Sequence, residues 1–205
     1  LTRTWDENIV VRGLQIICNG VDVREWLVVG LHGHLAFFYV KDLRIERFRC
    51  LDLGALQYCI HICTFRDIII DDVVIKGDKD GIHLGRGRRF SIRNAILETY
   101  DDAVALNAHD WWVGNPELGW IEDGVIENCH DLDDGKKPVG YFSRIIAGAW
   151  VDWYEGMEVQ RGDTVVSNGR MYRVQSDPDG TVFRSRTQPI HRTGTVTVDG
   201  IPWGM

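Results

Sequence analysis

The feature that most constrains the fold of this chain is a short apolar run that returns after 22 residues, twice in succession. The three runs are Tyr58-Cys59-Ile60-His61-Ile62, Asp80-Gly81-Ile82-His83-Leu84 and Asp102-Ala103-Val104-Ala105-Leu106. Their length, their Ile and Val content and the Gly, Asn and Asp residues between them are typical of β-strands. A period in the twenties with several such runs indicates a solenoid, in which one repeat makes one coil.

Stacking of successive coils explains why the same positions recur. One coil cannot bury its inward face alone, so we expect equivalent residues to lie above one another, about 4.8 Å apart. The expected columns are Ile60, Ile82 and Val104, and Ile62, Leu84 and Leu106. An antiparallel β-sandwich has strands of similar length but does not account for the 22-residue return. The sequence therefore predicts an all-β protein whose main part is a parallel β-helix.

The pattern of the sequence changes near residue 150, where the 22-residue recurrence is no longer seen. Short strands with tight turns follow, and Asn168-Gly169 is a strong signal for a two-residue hairpin. We expect β-helix coils over residues 1–148 and a small antiparallel β module over 149–205, attached to or inserted into a longer β-helix. The module resembles small carbohydrate-binding modules, and a structural or oligomerising role is an equal alternative. We expect the chain to be a processed protein or a piece of a longer one.

Composition limits the classes of partner. Hydrophobic residues make up 44% and charged residues 26%, which is normal for a globular protein. The net charge of −7 argues against nucleic acid as a partner. No apolar run approaches the ~20 residues of a membrane span. The five cysteines are an odd number for a disulfide framework, so we interpret them as mostly buried thiols that act as small hydrophobes.

Three acids form the candidate catalytic group. Asp80 and Asp102 hold equivalent places in consecutive coils, with Asp101 beside the second. Two carboxylates about 5 Å apart repel by roughly 3 kcal/mol at an effective dielectric of 20. Such a cluster is tolerated for a metal, for a counter-charge or for acid–base chemistry. Strict alternation would point Asp80 inward, so the hypothesis requires a bend at Gly81, and His61 and His83 would then face outward.

These residues resemble glycoside hydrolase family 28, the polygalacturonases and rhamnogalacturonases. The resemblance covers residues 8 to about 130 and is most specific over 78–107. The family has Asn-Thr-Asp-Gly followed one coil later by Gly-Asp-Asp, where this chain has Asp78-Lys79-Asp80-Gly81 and Tyr100-Asp101-Asp102. The resemblance implies a right-handed parallel β-helix and inverting hydrolysis of a glycosidic bond without metal or cofactor. Asp101 would be the general acid, and Asp80 and Asp102 would activate the water.

Substrate-binding residues are expected around these acids. We assign His61, His83 and His109 to substrate contact, and Trp111 and Trp112 to stacking on a sugar ring. A metal pair at His61 and His83 is the less favoured alternative. The expected partner is a polysaccharide or oligosaccharide, pectic among the candidates, and this substrate class implies a secreted or periplasmic protein.

Two other functions stay open on the sequence. The first is a non-catalytic glycan-binding or phage-tail-type β-helix, which would be trimeric. The second is a polysaccharide lyase, which needs a basic residue to abstract a proton and often uses calcium at clustered acids. The sugar, the linkage and the oligomeric state are left undetermined.

Overall fold

A computed structural model describes residues 4–18, 31–108, 115–117, 119–133, 135–136, 139–146, 151–175 and 181–205. Within these ranges every regular element is a β-strand, so the all-β class is confirmed. The chain divides into two compact units, Leu1–Ile146 and Ala147–Met205. A helix with the length and apolar character of a membrane span is not found in the described part of the chain.

The first unit is a large parallel sheet. Every strand pair in it runs parallel. Its strands are β1 (Asp6–Glu7), β2 (Val10–Arg12), β3 (Gln15–Ile16), β4 (Gly33–Leu53), β5 (Tyr58–Gly77), β6 (Ile82–Leu84), β7 (Gly87–Thr99), β8 (Val104–Asn107), β9 (Ile121–Glu127), β10 (His130–Asp131) and β11 (Ser143–Ile146). The sheet path runs β1-β4-β5-β6-β8-β11, with β2, β3, β7, β9 and β10 pairing beside it.

The register of β5, β6 and β8 agrees with the sequence repeat. Ile60 pairs with Ile82, which pairs with Val104. The second column, Ile62, Leu84 and Leu106, is in register in the same way. Five of these six side chains are fully buried, and Leu106 packs half-buried against them. Both predicted columns are therefore confirmed.

The long strands turn sharply at single residues with left-handed backbone. Asp42 and Arg47 in β4 have φ of 54° and 52°, and Asp67 and Asp72 in β5 have φ of 58° and 51°. A single left-handed residue redirects the chain, and Asp and Asn tolerate this conformation better than most residues. Equivalent residues follow in β7 and β9: Arg89, Asn94, Asp123 and Asn128. We call these left-handed residues the corner residues.

Apolar side chains between the corner residues fill the core of the first unit. Leu43 and Ile45 in β4 are in register with Ile68 and Ile70 in β5, and all four are buried. Phe90 continues this packing from β7. Gly124 of β9 pairs with Phe90, and this position needs glycine because a Cβ there would overlap the phenyl ring. Burial of each such aliphatic side chain contributes roughly 1.5–3 kcal/mol.

The second unit is small and mainly antiparallel. Four of its strand pairs are antiparallel, and β12 pairs with β14 in parallel. Asn168 and Gly169 have φ of 51° and 70°, which confirms the predicted hairpin turn. Trp203 and Tyr172 are fully buried in its core. Its strands are β12 (Val151–Asp152), β13 (Met157–Val159), β14 (Thr164–Ser167), β15 (Arg170–Val174), β16 (Phe183–Ser185), β17 (Thr195–Val198) and β18 (Ile201–Gly204).

Candidate active site

The three predicted acids converge at one place in the first unit. Asp80 precedes β6 and Asp102 precedes β8, and the Gly81 amide donates to the carbonyl of Asp102 at 3.0 Å. One carboxylate oxygen from each of Asp80, Asp101 and Asp102 lies within 4.8 Å of the others. We call these three residues the acid triad. The chain bends at Gly81 as expected, and glycine suits this position because a Cβ would lie 2.8 Å from the carbonyl oxygen of Ala103.

The members of the acid triad differ in exposure. The side chains of Asp80 and Asp102 are 5% and 1% exposed, whereas that of Asp101 is 18% exposed. Gly140 lies directly against the backbone of Asp101 and Asp102, where any side chain would overlap it. The backbone amide of the next residue, Tyr141, donates to Asp102 Oδ1 at 2.9 Å. The backbone of residues 140–141 therefore covers Asp102, and Asp101 has the most exposed side chain of the three acids.

Two cations, which the sequence analysis did not assign, neutralise the acid triad. The Lys79 ammonium contacts Asp101 directly and lies 3.6 Å from Asp80 Oδ1. Arg144 donates to Asp102 Oδ2 at 3.2 Å. The available signal for Lys79 was its place between two acids in the chain, one residue before Asp80. Arg144 comes from β11, which pairs with β8, and no local pattern around it indicates that pairing.

The pKa values of the three acids move in different directions. Burial raises the pKa of Asp80 to about 7, and the neighbouring charge of Asp101 adds to the effect against the opposing charge of Lys79. Burial opposes ionisation of Asp101 as well, but its hydrogen bond and charge interaction with Lys79 are stronger and lower its pKa. Burial also raises the pKa of Asp102, against the hydrogen bond from Tyr141. Below about pH 7 a proton of this pair therefore resides on Asp80 in preference to Asp101.

His83 positions Asp80 and does not face outward. Its Nδ1 lies 2.8 Å from Asp80 Oδ2, and its ring stacks on Tyr58 with centroids 4.0 Å apart. The side chain is fully buried. The predicted solvent-facing position of His83 is therefore wrong, because other side chains of the protein, Tyr58 among them, cover the outer surface of β6, and its contact with substrate stays a prediction.

His61 is buried for the same reason. Its Nε2 donates to the Asn115 side-chain oxygen at 2.9 Å, and its Nδ1 accepts from the His32 backbone amide at 3.1 Å. Burial, with the charge of His83 second, lowers its pKa well below the usual range, so the ring is neutral. The predicted solvent-facing position of His61 is wrong, and its contact with substrate stays a prediction. Its neighbours from residues 32 and 115 were not visible in the local sequence.

The other predicted substrate-binding residues, His109, Trp111 and Trp112, lie outside the described residues.

An open cavity of about 550 Å³ lies beside the acid triad. Asp101 is the member of the triad that lines it, together with Lys79 and Lys136. Lys136 contacts Asp78 and lies 6.0 Å from the centroid of the Tyr100 ring. The cavity therefore combines two acids, Asp78 and Asp101, the two ammonium groups paired with them and an aromatic ring, a set suited to a polar ligand.

A larger groove of about 670 Å³ lies elsewhere on the first unit and is lined by corner residues and their neighbours. Arg89 and Asp67 form an ion pair there with distances of 2.5 and 2.6 Å. None of the acid triad borders this groove. We therefore place the candidate site at the smaller cavity, which Asp101 borders and behind which Asp80 and Asp102 are buried.

A divalent cation at the acid triad would compete with cations that are already present. Oxygen ligands from three aspartates suit calcium or magnesium. Lys79 and Arg144 supply positive charge to the same oxygens, so a metal would have to displace them.

Comparisons with protein-family models, with curated proteins and with solved structures found no match to this chain.

Proposed function

We propose that this protein hydrolyses glycosidic bonds of a polysaccharide, with pectic polysaccharides among the candidates, on a right-handed parallel β-helix and with inversion at the anomeric carbon. The observation that carries the proposal is the meeting of Asp80, Asp101 and Asp102 beside an open cavity, with pKa values shifted in opposite directions. Glycoside hydrolysis needs one carboxyl group that holds a proton and one that is ionised. The substrate class implies a secreted or periplasmic protein.

The β-helix part of the proposal is supported by register and corners. The chain returns to pair in parallel with its own preceding segment after 22 residues between β5 and β6 and again between β6 and β8. Corner residues of β4, β5, β7 and β9 occupy equivalent places. Residues 149–205 are then a separate antiparallel module.

Accessibility divides the roles within the acid triad. Asp101 borders the cavity, so it can contact a glycosidic oxygen and donate a proton to it. Asp80 and Asp102 are too buried to reach a sugar carbon, but they can hold a water molecule. Because neither acid reaches the anomeric carbon from that depth, we propose attack by water and hence inversion, although the oxygens of the acid triad lie within 4.8 Å of one another, closer than the about 6.5–9.5 Å usual in inverting enzymes. Measurement of the first-formed anomer by NMR should show inversion; a retained anomer would contradict these roles.

Proton delivery to Asp101 requires a change at Lys79. In the free protein the proton is held by Asp80, which shares a hydrogen bond with Asp101, while Lys79 keeps Asp101 ionised. A substrate carboxylate that binds the ammonium of Lys79 would weaken its hold on Asp101, and the proton could then pass from Asp80 to Asp101. Lys136 offers a second ammonium for the same kind of substrate.

Product analysis with a panel of pectic and other polysaccharides tests the proposal. We expect Asp101→Asn to lower the hydrolysis rate by roughly 10²–10⁴-fold, the usual contribution of a general acid, with the fold intact. Asp71→Asn, which changes an exposed acid that bonds Asn94, is the matched control and should keep full activity. Unsaturated products absorbing in the ultraviolet would instead indicate a polysaccharide lyase. Absence of any cleavage across the panel would refute the proposal that this protein is a glycoside hydrolase.

Lys79→Met separates the role of this cation from simple packing. Without the ammonium the pKa of Asp101 should rise, because its hydrogen bond and charge partner is lost. The alkaline limb of the pH–activity profile should then move to higher pH, since Asp101 would stay protonated longer. An unshifted limb would exclude Asp101 as the group whose proton is transferred.

A non-catalytic glycan-binding or tail-type protein is the second candidate. The observation that favours it is that each acid of the triad contacts a cation or the buried His83, as in a purely structural ion-pair network. Such a protein would bind its glycan without cleaving it, and Asp101→Asn would leave the affinity unchanged. A tail-type protein would in addition sediment as a trimer.

A further inference from the structure

Two thiols, a carboxylate and an imidazole meet in the first unit, where β3 and β4 lie side by side. Ile16 of β3 pairs with Cys50 of β4, which brings Cys18 and Asp52 to the same place. Ligand atoms of Cys18, Cys50 and Asp52 all lie within 4.8 Å of one another. His34 Nε2 lies 3.8 Å from Cys18 Sγ. We call these four residues the thiol cluster.

We propose that the thiol cluster is a zinc site, with Cys18, Cys50, Asp52 and His34 as its ligands. This inference goes beyond the proposed hydrolase and does not depend on it. It also departs from the sequence analysis, which assigned no metal and interpreted the cysteines as small hydrophobes.

The spacing of the donor atoms fits a tetrahedral zinc ion. Zinc–sulfur bonds of about 2.3 Å and zinc–nitrogen bonds of about 2.0 Å place two sulfurs about 3.8 Å apart, and a sulfur and a nitrogen about 3.5 Å apart. The distance from Cys18 to His34 is 3.8 Å, within a few tenths of this value. The donors of Cys18, Cys50 and Asp52 lie within 4.8 Å of one another, so rotations of roughly 1 Å would bring these three onto one ion. His34 lies outside that group and reaches it through Cys18, so its ring would have to turn toward the ion to complete the site.

The donor types select zinc over the hard cations. Thiolate and imidazole ligands suit zinc, whereas calcium and magnesium take oxygen ligands. Cysteine sulfur, histidine nitrogen and aspartate oxygen are each ligands that zinc takes, and four of them complete a tetrahedral site. The acid triad, with oxygens alone, does not share this preference.

Groups that hydrogen-bond to the thiol cluster fix the orientation of its side chains, as residues hydrogen-bonded to the ligands do in metal sites. The Cys18 backbone amide donates to Asp52 Oδ1 at 2.9 Å, which holds the carboxylate against the cysteine. Cys59 is fully buried, and its thiol hydrogen-bonds to Cys50 and so holds that side chain in place.

The remaining cysteines show what a thiol without such a role does in this chain. Cys63 donates to the carbonyl of Glu117 at 3.3 Å, and Cys129 donates to the carbonyl of Glu127 at 3.3 Å. Each therefore satisfies its S–H on the backbone. A disulfide between Cys18 and Cys50 is the competing fate of the thiol cluster, but it would use neither Asp52 nor His34.

The test is metal binding by the full chain, reduced and stripped with a chelator. We expect one Zn²⁺ per chain by native mass spectrometry and a raised melting temperature with added Zn²⁺, since an ion that binds the folded state stabilises it. Co²⁺ in place of zinc should give a thiolate-to-cobalt charge-transfer band. A chain that binds neither ion while its thiols stay reactive would overturn the proposal.

Variants locate the site. Asp52→Ala and His34→Ala change half-buried residues and should fold. Each should weaken Zn²⁺ binding by more than the ~10–100-fold effect of losing an outer partner. Cys18→Ser should weaken the cobalt band by about half and the double variant Cys18→Ser with Cys50→Ser should abolish it, whereas Cys129→Ser is the matched control that should keep it. Equal metal binding by Asp52→Ala, His34→Ala and the control would refute the assignment, as would a chain two hydrogens lighter with Cys18 linked to Cys50.

The zinc proposal and the hydrolase proposal fail separately. Asp101→Asn should bind Zn²⁺ as the unaltered chain does, because Asp101 is not part of the thiol cluster. Loss of hydrolysis with zinc binding retained, or the reverse, would therefore decide each proposal by itself.

Discussion

Two groups of aspartates recur along the same parallel sheet and serve different purposes. The corner aspartates, Asp42, Asp67, Asp72 and Asp123, are exposed or half-exposed and have positive φ. Asp80 and Asp102 of the acid triad are buried and bound by cations or by His83. In both groups aspartates occupy equivalent places along successive strands of the sheet. This recurrence determines which residues become neighbours, whereas burial and partners determine whether an aspartate serves backbone geometry or proton chemistry.

The pH dependence of stability should separate the two groups most strongly. The pKa of Asp80 is raised from 3.8 to about 7 by folding, so its stabilising contribution is fully present below pH 3.8 and is lost as the pH rises to about 7. The effect is at most about 4 kcal/mol, at roughly 1.4 kcal/mol per pKa unit. Urea unfolding of the native chain and of Asp80→Asn between pH 4 and 8 measures it. The variant should lose this slope.

The corner aspartate Asp67 provides the opposite sign. A hydrogen bond from Arg89 lowers its pKa, so its contribution is present above its unfolded pKa and is lost as the pH falls through the folded value. Asp67→Asn should therefore leave the slope between pH 4 and 8 unchanged. A variant at Asp80 that behaved like the one at Asp67 would remove the distinction between the two groups.

Removal of a carboxylate from the acid triad should cost more stability than removal of a corner aspartate. Asp102→Ala leaves the Tyr141 amide and Arg144 without their acceptor. Loss of one partner of a wholly buried pair costs about 3–5 kcal/mol. Because the Arg144 side chain is 47% exposed, we expect about 2–3 kcal/mol by denaturant unfolding at pH 7. A loss below about 1 kcal/mol, the usual value of an exposed ion pair, would contradict this burial.

The smallest expected effect concerns the corner backbone. Asp67 has φ of 58°, a conformation that costs an ordinary residue roughly 1–2 kcal/mol and that Asn tolerates. Asp67→Ala should therefore unfold about 1–2 kcal/mol more easily than Asp67→Asn, although both lose the ion pair with Arg89. Equal stability of the two variants would show that the ion pair, and not the backbone, is the contribution of this residue.

Much of the first unit was predictable because its contacts repeat. A 22-residue return places Ile60, Ile82 and Val104 in one column without knowledge of anything else in the chain. The neighbours of the acid triad were only partly predictable. Lys79 is adjacent to Asp80 in sequence, but Arg144 comes 42 residues after Asp102 and outside the 22-residue period.

The two histidines show where periodic reasoning fails. Alternation along β5 and β6 assigns His61 and His83 to the outer side, and an outer side is normally solvated. Here Asn115, His32 and Tyr58 cover that surface, so both rings are buried. Covering residues come from segments that do not follow the repeat, and alternation along a strand contains no information about them.

The amino-acid sequence alone determined the all-β class, the parallel columns and the closeness of the three acids, because all of these depend on a period that can be counted. Tertiary structure alone decided how deeply each acid lies, which cation binds it, and that Cys18, Cys50, Asp52 and His34 lie together. Desolvation and charge pairing depend on every group within a few ångströms, and those groups come from distant segments whose order in the chain carries no periodic signal.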